Sequence, residues 1–186
     1  MQKLSLFLVG LFLFTAMDAQ KPLPTFARLI KYNLNDSLVP VSTTVKKQLL
    51  QAQVPRKKNE TPRLIFSGAD KKKADQTVRW LSSQIGKDVY KIDLSMVVSK
   101  YIGETEKNLE LLFARAEDKD WILFFDEADS LFGPRSTAGN KEDTDKSITY
   151  FFERLSKYKG VIAIHCIRKN CFDTLARKGF INLAVD

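Results

Sequence analysis

WILFFDEADSLFGPRS, residues Trp121–Ser136, is an apolar strand that ends in two adjacent carboxylates and runs into a polar turn. Its apolar residues do not alternate with polar ones, as expected of a strand covered on both faces of a parallel sheet. A carboxylate at the carboxyl end of such a strand is costly unless it meets a cation or a hydrogen-bond donor. Asp126 and Glu127 are therefore the first candidates for chemistry. The plainer reading is a strand followed by a helix N-terminus, where acids are favoured by the helix dipole.

Upstream lies Lys91–Ala116, KIDLSMVVSKYIGETEKNLELLFARA. Leu109, Leu112, Phe113 and Ala116 recur at helical spacing, so one apolar face of this helix packs on the sheet. Glu104 and Glu106 suit its first turn. Taken alone, Tyr101 is a surface aromatic at a turn. Followed by the acidic strand, however, this run resembles the central part of the AAA family of ATPases. The resemblance covers roughly Leu64 to Asp186, with a weaker echo in Val39–Leu50. It implies that Asp126 holds Mg²⁺ or its waters and that Glu127 polarises the water attacking the γ-phosphate of ATP. It also implies that Tyr101-Ile102-Gly103 is a loop gripping extended polypeptide in a hexamer pore.

The phosphate loop departs from the family. After the strand Arg63–Phe66 the family has G-x-x-x-x-G-K-[ST], whose backbone N–H groups cradle phosphates. This chain reads Gly68-Ala69-Asp70-Lys71-Lys72-Lys73-Ala74-Asp75. By that register Lys73 replaces the second glycine, Ala74 the phosphate-binding lysine and Asp75 the hydroxyl that ligates Mg²⁺. Lysine lacks glycine's freedom at positive φ, alanine offers no charge, and Asp70 and Asp75 repel a polyanion. Two readings stand: Lys71–Lys73 substitute for the cradle, with Lys73 nearest the required place, or they form a solvated turn. Val78, Leu81 and Ile85 mark the following helix in either case.

Where the resemblance places a water-orienting Asn, after the strand Val161–His165, the chain has His165-Cys166. A thiol is a weak donor and a poor acceptor. His165, the only histidine, has no second ligand nearby and reads as a strand-end or core residue. In the run Phe172–Phe180, Arg177 matches one of two intersubunit arginine fingers and Lys178 stands near the other. A lysine does not reproduce the planar guanidinium fork. The helical lid of the family is expected to be absent, since the sequence ends at Asp186, where the last core strand ends.

The 186 residues, 44% hydrophobic, suit one sizeable core, and the net charge of +8 is spread out apart from Arg56-Lys57-Lys58 and Lys71–Lys73. Neither cluster has interleaved aromatics, so no nucleic-acid role is expected. Met1-Gln2-Lys3, the apolar run Leu4–Ala16 and Ala19 have the layout of a secretory signal, with cleavage before Gln20. The alternatives are an uncleaved anchor, the only membrane contact foreseen, or a cytoplasmic protein starting at Met17. Export and loss of nucleotide binding agree with each other. Cys166 and Cys171 are close enough in sequence to form a disulfide in an oxidising compartment, or Cys166 is a small core hydrophobe.

The expectation is a three-layer α/β fold of the P-loop NTPase type. Its mainly parallel five-stranded sheet comprises Leu64–Phe66, Val89–Ile92, Trp121–Phe125, Val161–His165 and Ile181–Val185, with a helix over Asp145–Tyr158. Residues 1–19 are the leader, 20–62 a lead-in with a helix-like stretch Thr43–Gln53, and 63–186 the core. One function is a degenerate, non-catalytic interaction or scaffold module that meets protein partners or further copies, with no cofactor. The other is an ATP-hydrolysing subunit of a homo- or hetero-hexamer that remodels proteins. In that case Glu127 and Arg177 are catalytic, Asp126 holds Mg²⁺, and Gly68 with Lys71, Lys72 and Lys73 holds ATP. If no nucleotide brings a metal, Glu127→Gln is expected to leave function unchanged. Asp126→Asn is then expected to spare or stabilise the fold by removing an unpaired carboxylate.

Overall fold

The computed structural model describes residues 23–52, 61–133 and 141–185; the expected leader and the Arg56-Lys57-Lys58 triplet lie outside them. In chain order the elements are β1 (Ala27–Ile30), a 3₁₀ turn (Leu34–Leu38), α1 (Thr43–Ala52), β2 (Arg63–Ser67), α2 (Lys71–Ile85), β3 (Val89–Asp93) and α3 (Leu94–Val97). They continue with α4 (Glu104–Ala116), β4 (Ile122–Asp126), α5 (Asp129–Phe132), α6 (Lys141–Lys157), β5 (Ile162–Cys166), α7 (Lys169–Arg177) and β6 (Ile181–Ala184). Among the described residues no helix is long and apolar enough to cross a membrane.

The strand order is β1-β3-β4-β5-β2-β6. The five strands from β2 to β6 run parallel and match the expected ones within a residue or two at each end. β4 is buried along its whole length, as its unbroken apolar run requires. A sixth strand was not expected: β1 pairs antiparallel with β3, Ala27 opposite Ile92 and Ile30 opposite Val89. Its four residues, ARLI, are too short to show a period of two, which is why this segment reads only as lead-in. Helix α6 starts four residues before the expected Asp145, because its polar first turn, with Glu142 and Asp143, carries no apolar face to reveal it.

Each face of the sheet has its own core. On one, Leu64, Phe66, Phe124 and Ala163 pack with Val78 and Leu81 of α2 and Val45 and Leu49 of α1. On the other, Ile65, Ile92, Phe125 and Ile164 pack with Leu109 and Phe113 of α4 and Phe151 and Leu155 of α6. Successive strand residues alternate between faces. Lys91 faces opposite to Tyr90 and Ile92, Asp126 follows Phe124 by two, and His165 follows Ala163 by two. The pleat thus sends all three polar residues to the α2 side, Asp126 and His165 at the carboxyl ends of their strands and Lys91 at the middle of β3.

Candidate functional site

The phosphate-loop region is a short link. Only Gly68, Ala69 and Asp70 separate β2 from α2, fewer than the six residues of a G-x-x-x-x-G loop. Asp70 is the N-cap of α2, and its Oδ1 accepts the backbone N–H groups of Lys72 and Lys73 at 2.9 and 3.1 Å. These are helix-terminal donors of the kind that would hold a phosphate, and a carboxylate of the chain already occupies them. Gly68, with φ of 146°, turns the chain so that its carbonyl faces the neighbouring strand β5. Ala74, in the lysine's place by sequence register, is fully buried within the first turns of α2.

The acidic end of β4 has partners on every side. Asp126 Oδ1 lies 3.0 Å from His165 Nδ1 and accepts the Glu127 backbone N–H at 3.0 Å. Its Oδ2 lies 3.1 Å from Lys91 Nζ. Lys91 also donates to Asp75 Oδ1 at 2.5 Å, and Arg79 Nε approaches Asp75 Oδ2 at 3.6 Å. His165 Nε2 lies 3.0 Å from the Gly68 carbonyl. Both ring nitrogens thus face oxygen atoms within hydrogen-bond distance. Burial alone would raise the Asp126 carboxyl, but the His165 hydrogen bond and the Lys91 ammonium outweigh it and hold the group below the usual carboxylate range.

Glu127 sits at φ of +55°, uncommon for a residue with a side chain. Its Oε1 pairs with Lys71 Nζ. The lysine brought to the acidic pair is therefore Lys71, not Lys73. Lys72 and Lys73 are exposed, and neither pairs with Asp126 or Glu127. A hollow of about 430 Å³ beside Glu127 is lined by Asp129, Ser130, Gly133, Ile167 and Arg168. Asp129 anchors its far wall, accepting the backbone N–H groups of Ile167 and Arg168 at 2.8 Å each.

The remaining candidates lie apart from this network. Arg177 ends α7, is exposed, and reaches Thr174 Oγ1 at 3.5 Å. Lys178 Nζ lies 5.1 Å from the centre of the Phe152 ring. Tyr101 and Ile102 are 62% and 85% exposed on a turn held by Ser99, whose hydroxyl donates to Glu104 Oε2 at 2.6 Å and accepts from Tyr101 N at 3.2 Å. Gly103, at φ of +77°, closes that turn and caps α4. Cys166 and Cys171 form a disulfide that ties the end of β5 to α7.

These residues do not fit a metal–triphosphate as they stand. Both oxygens of Asp126 are engaged, one of them by the Lys91 ammonium, and the helix-terminal donors are taken by Asp70. Among the described residues no cluster of three or more His, Cys, Asp or Glu side chains is arranged to hold a metal ion. The expectation that Asp126 is an unpaired carboxylate is corrected by the same contacts. By sequence, Lys91 has no assigned role and Asp70 only repels a polyanion. A lysine between Tyr90 and Ile92 in the strand VYKID is itself a signal, since lysine is seldom buried without a partner.

The family model described as "ATPase family associated with various cellular activities (AAA)" matches residues 76–177, over half of the chain. The proteasome-associated ATPase of Pseudarthrobacter chlorophenolicus is 41% identical over 70 residues, 35% of this chain and 12% of that protein. The proteasome-associated ATPase of Thermobifida fusca is 34% identical over 98 residues, 47% of this chain and 16% of that protein. The chain thus spans a small part of the curated relatives it matches. The crystal structure of the FIGL-1 AAA domain in complex with ADP superposes with a TM-score of 0.64 at 22% identity, covering 87% of this chain and 58% of that one. That likeness establishes the fold.

Proposed function

Because the chain belongs to the AAA family of ATPases, we propose that it is an AAA-type module that engages protein partners without binding or hydrolysing ATP. The observation that carries this reading is the Asp70 carboxylate on the N–H groups of Lys72 and Lys73, where a phosphate would otherwise be held. Two ion pairs support it, Lys71 with Glu127 and Lys91 with Asp126, since both neutralise acids that a metal–nucleotide would meet. Partners are proteins or further copies of the chain, met through the exposed Tyr101-Ile102 turn. Export after cleavage before Gln20 belongs to the same proposal, and the Cys166–Cys171 disulfide suits an oxidising compartment.

The alternative, an ATP-hydrolysing subunit with Mg²⁺ on Asp126, has one observation in its favour: Lys71 stands beside Glu127, close to where a phosphate-binding lysine would act. Calorimetric titration of the purified protein with ATP–Mg²⁺ separates the two. The proposal expects a dissociation constant no tighter than about 1 mM. A low-micromolar value, abolished in Lys71→Ala, would establish the alternative. Mass spectrometry of the native N-terminus tests export, and a cytoplasmic protein beginning at Met1 or Met17 would remove that part.

A further inference from the structure

We infer that Lys91 is a resident cation: its ammonium, between Asp126 and Asp75, takes the place that a divalent metal would need at the acidic strand end. The inference rests on the proposed nucleotide-independent reading, and takes from the family resemblance that Asp126 is the residue that would face a metal.

The geometry is that of a built site. Lys91 lies in β3, in register with Phe124 of β4, and its side chain is 16% exposed. An ammonium presents three donors. Asp75 Oδ1 at 2.5 Å and Asp126 Oδ2 at 3.1 Å receive two, and the Phe124 ring, with its centre 5.3 Å from Nζ, lies on the remaining side. Mg²⁺ would require oxygen ligands at about 2.1 Å in octahedral array. With Nζ only 3.1 Å from Asp126 Oδ2, that oxygen has no room for a metal on the same side, and the ammonium would repel a divalent ion. The other oxygen of Asp126 is engaged by His165 and the Glu127 N–H. Lys91 thereby links α2, through Asp75, and β3 to the end of β4. Lys91 is a positioning residue: it neutralises Asp75 and Asp126 from within the chain and joins the helix to the strand end.

The test compares Mn²⁺ binding and thermal melting of the nucleotide-free full chain with those of Lys91→Ala, Lys91→Gln and Lys91→Arg. Mn²⁺ serves as the probe and is followed by electron paramagnetic resonance. The wild type should bind Mn²⁺ negligibly, and its melting should not respond to millimolar Mn²⁺. In chelator, Lys91→Ala should melt about 10 °C lower. It should bind Mn²⁺ at least tenfold more tightly than the wild type, and Mn²⁺ should recover most of the lost melting temperature. Lys91→Arg should behave as the wild type. If Lys91→Ala does not fold in chelator, Lys91→Gln, which keeps the stem without the charge, carries the measurement. Equal Mn²⁺ binding by wild type and charge-removed variants, or variants that fold neither with nor without Mn²⁺, would overturn the inference. ATP–Mg²⁺ titration of the wild type is read separately: micromolar binding there would end the nucleotide-independent reading, while the Mn²⁺ comparison still decides the role of Lys91.

Discussion

Asp126→Asn tests the central electrostatic claim, and its expected cost follows from the contacts. The substitution is nearly isosteric, and an amide oxygen can still accept from the Glu127 N–H or His165, so packing is unchanged. It removes the negative charge between His165 and Lys91, which approach at 3.0 and 3.1 Å, and turns an NH₂ group toward one of two donors. Hydrogen bonds to charged groups contribute about 1.5–3 kcal/mol each. Breaking a buried pair by removing one partner costs about 3–5 kcal/mol. Lys91 keeps Asp75 and His165 keeps the Gly68 carbonyl, so the lower end applies, about 3 kcal/mol. For a chain of this size that is a fall in melting temperature of roughly 9 °C. Urea denaturation of wild type and variant, with melts as a second probe, measures it. A double-mutant cycle with Lys91→Met should show coupling above about 1 kcal/mol. A change within about 0.5 kcal/mol, or a stabilisation, would refute the reasoning and return Asp126 to an unpaired carboxylate.

Three further outcomes are expected. The folded state holds the Asp126 carboxyl below its unfolded range, so its contribution is full above the unfolded value of about 4 and is lost as pH falls through the folded one. The stability gap between wild type and Asp126→Asn should therefore narrow below about pH 4 in acid-denaturation curves, and a gap constant down to pH 2 would contradict the assignment. Asp70→Ala removes the N-cap of α2 and should cost about 1 kcal/mol in urea unfolding; no loss would mean that the cap hydrogen bonds are not formed in solution. The disulfide closes a loop of sequence separation 5, for which loop entropy predicts a stabilisation of about 2 kcal/mol. Reducing the wild type should lower its melting temperature toward that of Cys166→Ala/Cys171→Ala, and identical melts with and without reductant would show that the bridge is absent.

The apolar run into Asp126-Glu127 announced a buried parallel strand, and the spacing of Leu109, Leu112, Phe113 and Ala116 announced the helix that covers it, because both patterns are local consequences of one face or two faces turned from water. The departures at Gly68–Asp75 were equally legible, since a missing glycine or lysine is visible residue by residue. Whether Asp126 was a bare charge was not legible. Its partners are His165, 39 residues later, and Lys91 on the adjacent strand, brought together by strand order and pleat parity. The same holds for β1, whose four residues become a strand through the free edge that β3 offers, and for Lys71 rather than Lys73 reaching Glu127, which depends on where α2 begins. A hydrophobic pattern is written along the chain, whereas the state of a buried charge depends on groups that only the assembled sheet places within hydrogen-bond distance.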